Sequence, residues 1–139
     1  TGVELKEFSL LYLLLNNLSL FQENIHLVKN IKLFTEINKQ IFHSIIDKLK
    51  LDEQLTVENL NLDNQLLDKI YKFAPIKHIV KNKPKNNNQV IELLDDISKD
   101  LFNHDLELRI QELESKFSED LSETTFNELK ELKNERKTN

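Results

Sequence analysis

A chain of 139 residues with 39% hydrophobic content can build one modest core with a small appendage and is too short for two ordinary domains. One glycine and two prolines leave little material for the tight turns of a β protein, and the absence of Cys removes disulfides, thiolate metal sites and cysteine nucleophiles together. The net charge of −5 is uneven: residues 1–88 carry 12 Lys/Arg against 10 Asp/Glu, whereas residues 89–139 carry 7 against 14, a balance that would repel nucleic acid.

Leu, Lys, Glu and Ile dominate, so the expected fold class is all-α. The longest apolar run, Leu10–Leu15, has six residues, against the roughly 18 of a membrane span. No membrane segment is expected, and the lack of Cys suits a reducing cytoplasm. Thr1-Gly2 stands where an initiator Met would, so residues are expected upstream, and no charged, apolar and small-residue leader is recognisable.

Leu5, Phe8, Leu11, Tyr12 and Leu15 recur at helical spacing, and Leu10, Leu13 and Leu14 fill the intervals. A helix over 3–16, apolar nearly all round, belongs at the centre of a bundle. Asn16-Asn17 breaks it, and Ser19 is the expected cap of a short helix running to about His26–Asn30. Thr35 is the next expected N-cap, ahead of a stripe of Ile37, Ile41, Ile45 and Leu49 that carries a helix to Lys50. Thr56 opens a short helical segment with Leu60, and Asp63 caps another in which Leu66, Leu67, Ile70 and Phe73 recur at threes and fours until Pro75 stops it. Residues 76–88 form a connecting loop with a short helical turn at its start and the basic cluster Lys77, Lys81, Lys83 and Lys85.

A long helix over 90–117 follows, with Val90, Leu94, Ile97 and Leu101 on one stripe and Leu106, Ile110, Leu113 and Phe117 on another. The step of five from Leu101 to Leu106 turns the apolar face by about 140°. A helix that buries one face early and another late has two packing partners, which places a bundle subdomain at 3–105 and a hairpin subdomain at 106–139. After a break at 118–122, Ser122 caps a last helix with Phe126, Leu129 and Leu132 facing back across the hairpin and Lys133, Arg136 and Lys137 near its negative end. The expected architecture is therefore a multi-helix bundle followed by a long helix leading into a C-terminal helical hairpin.

His26, His43, His78 and His104 share no HxxxH or HxxE spacing, so no metal or catalytic role is assigned to them. Asp95, Asp96 and Asp100 read as a solvated helix face, since no second acidic helix matches them. The lysines at 77–85 lack interleaved aromatics, and direct nucleic-acid binding is disfavoured. No catalytic residue, cofactor or metal is expected. Two helices outside a bundle bury little area, so a partner surface is expected to complete the hairpin. Its candidate contacts are Phe117, Phe126 and Leu129 along the seam with Leu121, Lys130, Lys133 and Arg136 on the rim.

Three segments carry a resemblance: Glu7-Phe-Ser-Leu-Leu-Tyr-Leu-Leu-Leu-Asn-Asn, Leu33-Phe-Thr-Glu-Ile, and Leu101-Phe-Asn-His-Asp-Leu-Glu-Leu-Arg-Ile-Gln-Glu-Leu with the acidic break and amphipathic helix after it. Over essentially its whole length the chain resembles the C-terminal helicase-binding domain of bacterial replicative DNA primase. It departs from that family in lacking a proline at the Asn17–Ser19 turn and in its more basic loop at 77–85. The resemblance implies a non-catalytic domain that binds the N-terminal domain of the hexameric replicative helicase, recruits primase to the fork and modulates the helicase. The metal-dependent polymerase and zinc-binding parts would lie upstream. The runner-up reading is a homo-oligomeric helical scaffold, self-associated through the hairpin in a two-fold arrangement.

Overall fold

The computed structural model describes residues 2–51, 53–75, 86–119 and 122–138, without the side chains of 137 and 138. The basic cluster at 77–85, the short helical turn expected from 76, the rim candidate Leu121 and the side chain of Lys137 lie outside the described residues. The described chain is all-α: α1 (Gly2–Asn16), α2 (Leu18–Glu23), a 3-10 turn (Ile25–Leu27), α3 (Glu36–Leu49), a 3-10 turn (Glu58–Leu60), α4 (Asn64–Phe73), α5 (Asn87–Glu119) and α6 (Glu123–Thr138). A multi-helix bundle precedes the 33-residue α5, which leads into a C-terminal helical hairpin with α6. Among the described residues no helix is long and apolar enough to cross a membrane.

The chain divides into two compact units, Thr1–Ser98 and Lys99–Asn139, and the step from Leu101 to Leu106 lies just beyond that division. In the N-terminal unit, Leu10, Leu11, Leu13 and Leu14 are fully buried, which follows from α1 packing against α2, α3 and α4. Only a helix apolar on every side gains from such a position. Asn16 and Asn17 end α1 by turning their amides back onto the carbonyls of Tyr12, at 2.8 Å, and Leu13, at 2.9 Å. They satisfy two of the acceptors that a helix end orphans.

Several local expectations are corrected. Asn17, not Ser19, occupies the N-cap position of α2, and α2 ends at Glu23. There the Asn24 amide donates to the Leu20 carbonyl at 2.9 Å and the chain tightens into a 3-10 turn. Thr35 does precede α3, yet its side chain makes no capping bond. The cap comes from α1, where the fully buried Glu7 accepts from the Phe34 N–H at 2.5 Å, the Thr35 N–H at 3.3 Å and the Asn38 amide at 3.2 Å. Leu5, Ile37 and Phe73, placed on buried stripes by their spacing, are exposed at 39%, 54% and 49%. All three lie within a turn or so of a helix end, where a periodic stripe outlasts the neighbour that would cover it.

Asp63 caps α4 as expected, accepting from the Gln65 N–H at 2.8 Å, and Ala74 leaves the helix in an extended conformation before Pro75. The turn after α3 is tied down by Gln22, whose amide donates to the carbonyls of Leu51, at 2.7 Å, and Glu53, at 2.8 Å. The Lys48 ammonium donates to the Leu60 carbonyl, and Asn61 follows in the left-handed conformation with φ 53°, a conformation Asn tolerates better than most residues. Asn86 opens α5 by accepting from the Gln89 N–H at 2.9 Å.

Candidate docking surface

The C-terminal unit is built from the second apolar stripe of α5. Leu106 and Ile110 form a buried cluster with Leu129 and Leu132 of α6, and Leu113 packs against it partly exposed. Ser122 starts α6, its hydroxyl accepting from the Thr125 N–H at 3.2 Å and donating to the Thr125 hydroxyl at 2.8 Å. Near the closed end of the hairpin the rings of Phe117 and Phe126 lie 5.9 Å apart, tilted by 43°. Further along, Lys133 pairs with Glu114 at 3.0 Å, and Arg136 donates to Glu107 at 2.6 Å. These three contacts run in opposite directions along the two helices and fix an antiparallel register.

The contact residues named from the sequence therefore divide. Phe126 is 51% exposed, Phe117 is half-buried and Lys130 is exposed, so these present surface. Leu129 is turned into the seam at 8% exposure and holds the two helices together. Lys133 and Arg136 sit on one flank, tethered to α5 but still well exposed. Sequence periodicity did not reveal Glu107 and Glu114 as their partners, because a cross-hairpin pair depends on the register rather than on spacing within one helix.

The opposite flank holds a groove of about 300 Å³, with Leu113 and Leu132 at its floor. Arg109, Glu112 and Lys116 stand on its α5 side and Glu128 and Glu131 on its α6 side, so charges of both signs line the α5 wall. In the N-terminal unit a second concavity, of about 420 Å³, is lined by residues such as Asn16, Asn17, Ser19 and Thr56, and none of its lining side chains is an acid or base. Among the described residues no group of three or more His, Asp or Glu side chains is placed to hold a metal ion. No protein-family model, curated protein or solved structure matches this chain.

Proposed function

We propose that this chain is a non-catalytic docking domain of bacterial replicative DNA primase, which binds the N-terminal domain of the hexameric helicase and brings primase to the fork. The observation that carries this reading is the C-terminal hairpin, a separate two-helix unit at the end of a 33-residue helix, whose cluster is small and whose Phe117–Phe126 pair is partly open to solvent. A partner covering that aromatic end would remove exposed apolar area from water at roughly 25 cal/mol per Å². The cations Lys130, Lys133 and Arg136 then form a rim that would orient an acidic partner surface. In this role the domain works in the cytoplasm, needs no cofactor and makes no primer.

Pull-down of the chain with the helicase N-terminal domain tests the proposal. Binding should be lost when residues 118–139 are deleted and weakened about tenfold or more by Phe126→Ala, as for an aromatic anchor. Unchanged binding after the deletion would remove the hairpin from the interface. Lys133→Ala with Arg136→Ala is a useful companion, because exposed ion pairs of this kind contribute about 0–1 kcal/mol to stability. A loss of binding in that variant reads the contact and not unfolding.

A further inference from the structure

The three cations of α6 named as a rim are not equivalent. Lys133 already holds Glu114 at 3.0 Å and Arg136 donates to Glu107 at 2.6 Å, so both are committed within the hairpin. Lys130 is exposed and has no hydrogen-bond or ion-pair partner among the described residues. Its own helix does not supply one either. The positions three and four residues away, which share its face, are Phe126, Asn127, Lys133 and Asn134, with no carboxylate among them. Glu128 and Glu131 lie two residues and one residue away and point to other sides of the helix. Phe126, Lys130 and Lys133, four and three apart, therefore make one stripe: a ring 51% exposed, a cation without a counter-charge, and a cation with one.

We propose, on the reading that the hairpin docks the helicase N-terminal domain, that Lys130 is the specificity-determining contact of that surface. Its counterpart is a carboxylate of the partner, set about one helical turn from the apolar side chain that covers Phe126. The spacing follows from α6, since four residues at 1.5 Å each put Lys130 about 6 Å along the axis from Phe126. The choice of cation follows from electrostatics. A carboxylate approaching Lys133 or Arg136 also meets the glutamate oxygen that each already holds, and attraction and repulsion largely cancel. At Lys130 it meets attraction alone, reinforced by Lys133 one turn on.

Covering Phe126 sharpens the selection. It draws water away from the neighbouring ammonium, lowers the effective dielectric there and strengthens whatever ion pair forms. A neutral surface laid over the same ring takes hydration from Lys130 and returns nothing, so it is penalised. One free cation thus both favours an acidic partner and disfavours an uncharged one. Nucleic acid is the poorer fit, because phosphates repeat along a strand and call for a row of free cations, whereas the neighbours Lys133 and Arg136 are already paired.

Calorimetric titration of the whole chain against the helicase N-terminal domain tests the assignment. Lys130→Glu is expected to weaken binding about tenfold or more, because a like charge then opposes the partner's carboxylate, and Lys130→Ala by less. Lys133→Ala with Arg136→Ala should weaken it less than Lys130→Ala alone. Salt adds a readout that a loss of helix would not mimic. Between 0.1 and 1 M salt the screening length shrinks from about 10 Å to about 3 Å, so the parent's affinity should fall several-fold and that of Lys130→Ala much less. Lys69→Glu makes the same change of charge at an exposed position of α4 and should bind like the parent. Among acid-to-lysine variants of the helicase domain, one should restore binding to Lys130→Glu. The assignment is overturned if Lys130→Glu binds like the parent while Phe126→Ala is weakened, an outcome that leaves the docking reading standing. It is also overturned if Lys69→Glu weakens binding as much as Lys130→Glu, which would reduce the effect to net charge. A parent that does not bind, or binding unchanged by deletion of 118–139, sinks the docking reading and this assignment with it.

Discussion

Glu7 is a carboxylate with no exposed surface, held on α1 against the entry to α3. Burial of such a group is costly unless its oxygens are occupied, and here the Phe34 and Thr35 N–H groups and the Asn38 amide occupy them. The positive end of the α3 dipole adds to this. Glu7→Ala would strand those donors away from water, and the expected loss is about 3 kcal/mol, since each unsatisfied buried donor costs about 1–3 kcal/mol. Glu7→Gln keeps one acceptor oxygen and should lose less. Urea denaturation midpoints of the two variants against the parent check the order. Tyr71 supplies a pH-dependent counterpart. Burial first, then Tyr12 and Glu58, hold its phenol above the ordinary value of 10.0, and its ring lies edge-on to Tyr12 at 5.6 Å. The folded state thus favours the neutral phenol. The unfolded chain releases that proton first as pH rises, so the stabilisation is full below pH 10.0 and is lost as pH climbs through the raised folded value. Titration of the tyrosinate absorbance should show one late-ionising phenol that disappears in Tyr71→Phe.

At the scale of elements, α6 shows how local chemistry sets a boundary. Ser122 satisfies the Thr125 N–H at the start of the helix, so Ser122→Ala should cost about 1 kcal/mol and lower helicity near the hairpin's closed end. Amide exchange of residues 123–127 would report it. This cap was legible in the sequence, as were Asp63 and the asparagine tract before α5, because each satisfies a donor two or three residues away. The cap on α3 was not, since Glu7 acts from 27 or 28 residues upstream and only tertiary packing brings it there. The apolar pairing of α5 with α6 followed from spacing: Leu106, Ile110 and Leu113 face Leu129 and Leu132 as their periods require. Which charges would meet across the hairpin did not follow, because Glu114 and Lys133 become neighbours only when the turn fixes the register. The same register separates a flank with paired charges from one without, a distinction invisible in composition.

At the scale of the whole chain, the two units differ in how much apolar surface holds them. Four leucines of α1 alone are fully buried in the N-terminal unit, together with Phe21, Phe42, Ile45, Leu60 and Ile70 at 1% exposure or less. The hairpin relies on Leu106, Ile110, Leu129 and Leu132, with Leu113 only partly covered. Because the free energy of local opening follows buried contact density, native-state hydrogen exchange should show the amides of 123–138 opening well before those of 8–15. Core truncations should respect the same division. Leu132→Ala, a loss of about 2–5 kcal/mol in a well-packed site, is expected to strip protection from the hairpin amides while α1 stays protected. Leu10→Ala should lower protection throughout α1, α3 and α4, since α1 is the element the others pack on. If Leu132→Ala instead lowered α1 and hairpin protection by the same amount, the two units would be one cooperative structure, and a partner could not order the hairpin without also stabilising the bundle.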